Sequence, residues 1–454
     1  MTGTGAEVSE LKKVLGALDL VMLGLGAMIG TGIFVLTGIG AVAAGPALAI
    51  SFILAASACA LAALCYAEFA SMIPVAGSAY TYSYATLGEL IAWIVGWSLI
   101  AEYGLATAAV SVGWSGYFQA LLAGFGLQLP AALSAAPGVD AAGTTTLFNL
   151  PAFVIMMVIT AILALGIHES KRVNNLLVII KLIVVILVIA VGGWYVKPEN
   201  FEPYAPHGLS GIVSAAALVF FAFLGFDAVS SAAEEVRRPQ RDLPIGLIGS
   251  LLICALLYAL VATVATGIVP FQDFKGVDEP IALVFQRAGI DWLAGLVSLA
   301  AVSGMMTVIL VMGYGLTRVV FAMSRDGLLP GWLSRIDQRQ VPVASTWLLG
   351  TISALIAATI PLTTLAELIN MGTLLAFTII SLSVPILRRT RPDLQRAFRV
   401  PLPWVLGPLS VVICLILMLN LAFETWFAFL IWLLVGLACY FGYSRHHARH
   451  ENLY

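Results

Sequence analysis

Glycines interrupt the first apolar stretch of the chain. The segment GLGAMIGTGIF, residues 24–34, has glycine at positions 24, 26, 30 and 32, and each interior glycine weakens a helix by about 1 kcal/mol relative to alanine. An unwound turn frees backbone N–H and C=O groups, which a membrane tolerates only where they line a cavity or meet a ligand. Such groups suit a zwitterion, because N–H donors at a half-helix N-terminus favour a carboxylate and free carbonyls accept from an ammonium. Gly30 and Gly32 would allow close backbone approach, and Thr31 adds a hydroxyl.

A second apolar stretch carries a similar irregularity. FFAFLGFDAVS, residues 220–230, places Gly225 and Asp227 in mid-span, and an aspartate there is costly unless it faces a cavity or a partner. Paired interruptions of this kind point to a transporter binding site. The alternative is that the glycines only let helices pack closely.

Two further charges lie inside apolar runs. Lys181 sits in NNLLVIIKLIVVILVIA, residues 174–190, and Glu102 in WSLIAEYGLA. Lys181 could snorkel to the membrane surface, but a buried lysine, whose protonation depends on its solvation, is also a candidate for proton coupling. Glu102 could hold a cationic ligand side chain or pair with a polar group of a neighbouring helix. Asp227 could cap a half-helix or bind ligand, and Met312 could shape a side-chain pocket or simply pack.

The composition requires a lipid environment for these residues. The chain of 454 residues is 61% hydrophobic and 10% charged, against roughly 25% charged in soluble domains. We therefore predict an all-α polytopic membrane protein. With about 20 apolar residues needed per span, the sequence predicts twelve membrane helices at 17–40, 46–73, 86–123, 149–167, 174–194, 209–234, 243–269, 291–322, 344–361, 364–388, 403–422 and 425–443.

The basic residues support this count. With the N-terminus inside, eighteen of the 22 Lys and Arg residues fall in inner segments and only three in outer ones, as the positive-inside rule requires. Both termini are therefore expected to be cytoplasmic. The first and sixth spans then run antiparallel. The basic loops are topology signals, so no nucleic-acid partner is expected.

Several stretches together resemble the amino acid–polyamine–organocation (APC) transporter superfamily, and within it the cationic amino acid transporter branch. They include GAMIGTGIF (26–34), CYAEFASMIPVAGSAYTYSYATLGE (65–89), GWSLIAEYGLATAAV (96–110), FFAFLGFDAVSSAAEEVRRPQRDLPIGLIGS (220–250), TRVVFAMSRDGLLP (317–330), MGTLLAFTIISLSVPILRR (371–389) and FRVPLPWVLGP (398–408). The resemblance implies a five-plus-five inverted repeat with discontinuous helices 1 and 6, two added C-terminal helices, and alternating access without ATP.

The resemblance also implies roles for particular residues. It places substrate-backbone contacts on the first interruption at Ile29, Gly30, Thr31, Gly32 and Ile33, and on the second at Phe221, Ala222, Phe223, Leu224 and Gly225. Phe221 or Phe223 would gate or floor the site, unless these rings only pack. Lys181 would take the place of the sodium ion of sodium-coupled relatives and bond carbonyls freed by the first interruption.

These expectations give a domain plan. Residues 1–16 form a cytoplasmic N-terminus, 17–200 the first repeat, 201–390 the second, 391–444 the last two helices, and 445–454 a cytoplasmic tail whose ENLY is treated as a tag remnant. Glu68, Glu234, Glu235 and Arg325 could form ion pairs that hold one gate state, or remain solvated.

The expected function is sodium-independent, proton-coupled uptake of cationic or small neutral L-amino acids across the plasma (inner) membrane. The partners are then the amino acid, protons and membrane lipid, with no cofactor or metal; an accessory subunit is left open. An exchanger and a transporter-like sensor remain alternatives. An intramembrane enzyme would need a catalytic constellation, and a channel would need filter loops or charged pore rings; neither pattern occurs.

Overall fold

The computed structural model is a bundle of long helices. It describes residues 15–72, 80, 83–84, 88–139, 145–166, 171–231, 236–339, 341–393 and 396–447, with the backbone alone at 139, 171–174, 228 and 231. The helices are α1 Ala17–Met28, α2 Thr31–Phe34, α3 Leu36–Ala44, α4 Leu48–Met72, α5 Glu89–Gly124, α6 Leu150–Ala164, α7 Lys171–Gly192, α8 Gly208–Val219, α9 Ala228–Ser231, α10 Pro239–Ile268, α11 Pro280–Arg287, α12 Asp291–Arg325, α13 Val343–Thr359, α14 Leu362–Thr390, α15 Pro403–Leu419, α16 Phe423–Cys439 and α17 Arg445–His447. Strands β1 Gly138–Val139 and β2 Thr145–Thr146 pair antiparallel in a loop.

Hydropathy separates the helices that can cross a membrane by themselves from shorter ones. Within the described ranges, seven helical segments are long and apolar enough to do so: Leu36–Met72, Glu89–Gly124, Asn175–Tyr195, Pro239–Ile268, Asp291–Arg325, Leu362–Thr390 and Phe423–His447. Five shorter apolar helices are Ala17–Met28, Leu150–Ala164, Gly208–Phe223, Val343–Thr359 and Pro403–Leu419. Large apolar side chains such as Leu256, Ile186 and Leu355 are about half exposed on the outside of the bundle, as a surface facing lipid allows.

The core of the bundle surrounds α1 and α8. Helix α5 packs along α12, α4 and α1 pack along α10, and α1 also contacts α7. The 3₁₀ segment Phe220–Phe223, which continues α8, contacts α2. The interrupted segments are thus enclosed by continuous helices, which is where irregular backbone is tolerated in a membrane protein.

An aromatic clamp attaches α16 to α5. Trp97 stacks between Trp93 and Trp432, with ring centroids 5.5 and 4.5 Å away. The indole N–H groups of Trp97 and Trp432 donate to the carbonyl of the other residue at 2.9 and 3.3 Å. Gly436 makes room for this contact, because a Cβ there would lie 2.5 Å from the Trp97 ring. The clamp joins the end of the chain to the core.

Candidate functional site

The first interruption lies where the sequence predicts it. Helix α1 ends at Met28, Ile29 is extended with φ −74° and ψ 92°, and α2 begins at Thr31 after Gly30. The first N–H groups of a helix lack intrahelical partners, so the turn at Gly30–Gly32 presents backbone donors. The Thr31 hydroxyl donates to Met305 Sδ at 3.2 Å, a weak acceptor that a stronger one can replace.

The second interruption is a change of helix type. Helix α8 ends at Val219, a 3₁₀ turn covers Phe220–Phe223, and Leu224 is extended. Gly225 has φ 102°, a backbone conformation in which a Cβ would be strained. The chain then re-enters a helical turn at α9. Asp227 lies at this point, and its Oδ2 accepts from the Tyr103 hydroxyl at 2.9 Å.

A small cavity joins the two interruptions. Its volume is about 20 Å³, enough for little more than one water molecule. Its described lining residues are Ala27, Met28, Gly30, Thr31, Gly32, Ala106, Val110, Phe221, Leu224, Val308 and Met312. Apart from backbone and the Thr31 hydroxyl, the lining is apolar. The cavity is therefore too small, as it stands, to hold an amino acid.

The predicted site residues divide into two groups. Gly30, Thr31, Gly32, Phe221, Leu224 and Met312 line the cavity. Ile29, Ile33, Ala222, Phe223, Gly225, Glu102 and Asp227 are not among its lining residues, although all are buried. Of the two phenylalanines, Phe221 faces the cavity, while Phe223 packs on Phe52 and Tyr258 with ring centroids 6.2 and 5.2 Å away.

Glu102 points to a neighbouring helix. It is 3% exposed and lies beside Thr373 of α14, whose hydroxyl donates to the Ile369 carbonyl at 3.1 Å. Ala106 and Val110, one and two turns further along the same helix α5, line the cavity instead. The carboxylates of Glu102 and Asp227 therefore lie behind the cavity wall.

Lys181 of α7 braces the first interruption. Its Nζ donates to the Gly26 carbonyl at 3.1 Å and to the Thr307 hydroxyl at 2.9 Å, and the side chain is buried. Gly304 of α12 makes room for it, because a Cβ there would lie 2.7 Å from Lys181 Cε. The lysine thus joins α7, α1 and α12 behind the cavity.

Sequence reasoning missed several residues of the site. The Tyr258 hydroxyl donates to the Met28 carbonyl at 2.7 Å, and the Tyr117 hydroxyl donates to the Phe34 carbonyl at 2.7 Å. Asn370 donates to two carbonyls near the end of α8. The only sequence signal for these residues is a polar side chain within an apolar helix, and that signal does not identify the partner.

An ion cluster closes one end of the bundle. Glu68 of α4 accepts from Arg388 Nε at 3.0 Å and Nη2 at 2.6 Å, and from the Val400 N–H at 2.7 Å. Its Oε1 lies 3.3 Å from Arg396 Nε. Glu68 is therefore paired, but with different partners from those considered in the sequence. The exposed Arg325 contacts its half-buried neighbour Asp326 at 3.6 Å, and Glu234 and Glu235 lie outside the described residues.

The start of α11 and the residues just before it pack against α5 and α3. A Cβ on Gly116 of α5 would lie 2.7 Å from Asp278 Cβ, and one on Gly38 of α3 would lie 2.6 Å from Pro280 Cβ. Burial raises the pKa of the half-buried Glu279 carboxyl to about 7, and the adjacent Asp278 carboxylate contributes to the rise. This packing therefore favours a protonated Glu279.

A profile of the amino acid permease family matches residues 15–441. The chain belongs to the amino acid permease family, within the APC superfamily. This permease is 59% identical over 450 residues to the branched-chain amino acid permease BcaP of Bacillus subtilis (strain 168), covering 99% of this chain and 96% of that protein. It is 51% identical over 441 residues to the methylthioribose transporter of the same organism, covering 97% and 95%.

A plant relative is more distant. This permease is 39% identical over 393 residues to the vacuolar cationic amino acid transporter 4 of Arabidopsis thaliana, covering 85% of this chain and 64% of that protein. These matches confirm the predicted superfamily and the expectation of a transporter rather than an enzyme. Among the described residues, no group of three or more His, Cys, Asp and Glu side chains could hold a metal ion.

Proposed function

We propose that this permease carries small or branched apolar L-amino acids across the plasma membrane by alternating access, coupled to protons and independent of sodium. The observation that carries the proposal is the cavity, which touches both backbone interruptions and is otherwise apolar. Free backbone groups at the interruptions suit the charged end of any amino acid, and the lining selects its side chain.

The charged end of the substrate is assigned to the interruptions. The donors at Gly30–Gly32 and the Thr31 hydroxyl would take the carboxylate, since N–H groups and the helix dipole both favour an anion there. Carbonyls at the end of α1 and along Phe221–Leu224 would take the ammonium. Both sets border the cavity.

The side-chain end is assigned to Ala106, Val110, Val308 and Met312. An aliphatic group gains roughly 25 cal/mol per Å² of buried apolar area, whereas a cationic group would lose its hydration without meeting a charge among these lining residues. Glu102, the residue that favoured a cationic substrate, is not among the lining residues of the cavity. The relative named for branched-chain amino acids agrees with this preference.

Proton coupling is assigned to Lys181. Its ammonium bonds the Gly26 carbonyl, and loss of its proton would weaken that bond because a neutral amine is a poorer donor. Helix α1 would then be released from α7. The Lys181 ammonium would supply a cation at the first interruption, so the proposed mechanism does not require sodium.

The membrane arrangement follows from the same reasoning. We assign twelve spans to the seven long and five shorter apolar helices, with both termini cytoplasmic and the repeats at 17–200 and 201–390. The Arg388 end of the bundle is then cytoplasmic and the Glu279 end external.

The substrate assignment is tested by uptake into vesicles containing the purified chain. We expect labelled L-leucine, L-valine and L-alanine to accumulate and L-arginine to compete weakly. Methylthioribose, named in one relative, is included as a competitor. Preferred uptake of L-arginine or methylthioribose would refute the assignment. Counterflow with unlabelled amino acid inside separates a carrier from a sensor, and a strict need for internal amino acid would indicate an exchanger.

The coupling assignment is tested by gradients and by Lys181→Met. An inward proton gradient should drive accumulation, a sodium gradient should not, and the variant should lose proton-driven uptake. The matched control is Ile183→Met on the same helix, because Ile183 is 52% exposed on the outer surface and should tolerate the change. Sodium-driven uptake, or proton-driven uptake by Lys181→Met at the control's level, would contradict the assignment.

A further inference from the structure

Each interruption is contacted by a polar side chain from a helix later in the chain. Lys181 Nζ of α7 donates to the Gly26 carbonyl at 3.1 Å. Asn370 Nδ2 of α14 donates to the carbonyls of Ala217 at 2.7 Å and Leu218 at 3.0 Å. Gly26 lies two residues before the end of α1 and Ala217 two residues before the end of α8. The two contacts therefore occupy corresponding places.

The chemistry of Asn370 explains what an amide contributes there. The side chain is 0% exposed, and because both neighbours are carbonyl oxygens, only its amino group can face them. Its Oδ1 is buried and has no hydrogen-bond partner among the described residues, which is unfavourable. A leucine of similar size would avoid that penalty. The two bonds to α8 are thus the favourable polar interactions that the amide makes.

The position of those bonds relates Asn370 to the cavity. Carbonyls at a helix end lack full intrahelical partners, and here they lie three and two residues before the 3₁₀ turn Phe220–Phe223. Phe221 and Leu224, a few residues further, line the cavity, whereas Asn370 does not. Asn370 therefore acts on the lining through the backbone of α8.

We propose that Asn370 is a positioning residue for transport, whose amino group fixes the end of α8 so that Phe221–Leu224 keep the geometry that binds substrate. It is the counterpart of Lys181 at the second interruption, but without a titratable group. The inference rests on the proposed function, since it concerns the same substrate site.

The test compares Asn370→Leu, which removes both donors at nearly constant volume, with Asn370→Gln, which keeps the amino group on a longer side chain. Loss of two buried hydrogen bonds should raise the KM for uptake about tenfold in Asn370→Leu, with a smaller change in maximal rate and an unchanged dependence on the proton gradient. Asn370→Gln should recover most of the affinity. Ser383→Ala is the matched control, because among the described residues the hydrogen bond of this buried α14 side chain goes to its own helix, at the Ile379 carbonyl.

The outcomes are distinct. A KM in Asn370→Leu equal to that of Ser383→Ala overturns the inference, and so does an Asn370→Gln as impaired as Asn370→Leu. If Asn370→Leu does not fold, Asn370→Ala replaces it under the same criteria. If neither variant folds while Asn370→Gln does, Asn370 is required for folding itself, and the inference is overturned. Absence of uptake by the unaltered chain would instead remove the proposed function, and this inference with it.

Discussion

The two interruptions touch each other at Gly32, and this contact predicts the effect of a single methyl group. A Cβ on Gly32 would lie 2.3 Å from Ala222 Cα and 2.4 Å from Ala222 Cβ, whereas ordinary contacts of this kind are 3.4–4 Å. Because the opposing atoms include backbone, no side-chain rotation relieves the overlap. In Gly32→Ala, α2 and the 3₁₀ turn must therefore separate by about 1 Å.

The magnitude follows from where this separation occurs. Overpacking a well-packed core costs about 1–3 kcal/mol. We expect the folded state of this long helical chain to persist at that cost. Gly32 and Phe221 both line a cavity of about 20 Å³, so the same displacement alters the proposed substrate site itself. By analogy with enzyme sites, where about 1 Å of misplacement can cost on the order of 10²-fold, we expect uptake at low substrate concentration to fall by about 10- to 100-fold.

The assay measures initial uptake of labelled L-leucine and the unfolding temperature of the same preparation. Gly295→Ala is the matched control, because it adds the same methyl group to α12 with nothing within 4 Å of the new Cβ. Alanine favours a helix interior by about 0.8–1 kcal/mol over glycine, so the control should be as stable as the unaltered chain or more so. Equal uptake by Gly32→Ala and Gly295→Ala would show that the close contact between Gly32 and Ala222 does not determine the geometry of the site.

Two charged positions give further predictions. The folded chain keeps a proton on Glu279 up to about pH 7, whereas the unfolded chain releases it near 4.5. Stability should therefore fall as pH rises through that window, by ~1–3 kcal/mol, and Glu279→Gln should flatten the dependence of unfolding temperature on pH; an unchanged slope would contradict this. Glu68→Gln leaves Arg388 and the nearly buried Arg396 without their counter-charge and should destabilise the chain by about 3–5 kcal/mol. Asp393→Asn, at an exposed pair 3.9 Å long, should change the unfolding temperature little, and equal losses would exclude a special role for Glu68.

The sequence predicted features that depend on local chemistry. Glycine spacing indicated the first interruption, the Gly225–Asp227 irregularity indicated the second, and the helices described at both places stop there. Lys181 was singled out because a charge inside an apolar helix needs a partner, and a carbonyl of α1 is one of its partners.

The sequence could not predict which face of each helix is turned toward the cavity, or which distant residues form hydrogen bonds with each other. The sequence left open whether Glu102 meets a cationic ligand or a polar group of a neighbouring helix; in the structure it lies beside Thr373, and Ala106 of the same helix lines the cavity. The bond from Tyr258 to Met28 joins residues 230 positions apart. Many apolar helix faces permit alternative rotations, so only packing of all the helices decides which polar side chain meets which carbonyl.

The hydrogen bonds already present at the two interruptions indicate which group of a zwitterionic substrate, the carboxylate or the ammonium, would be held more firmly. Tyr258 already donates to the Met28 carbonyl, Lys181 to that of Gly26, and Asn370 to those near the end of α8. A substrate ammonium at the end of α1 would share the Met28 carbonyl with the Tyr258 hydroxyl, which already occupies one of the two lone pairs of that oxygen. The first N–H groups of α2 have no such intrahelical competition, and the Thr31 hydroxyl is bonded only weakly to a thioether. In the proposed binding mode the carboxylate would therefore be the more firmly bound group. The position of the ammonium would depend mainly on how Tyr258, Lys181 and Asn370 hold the backbone carbonyls.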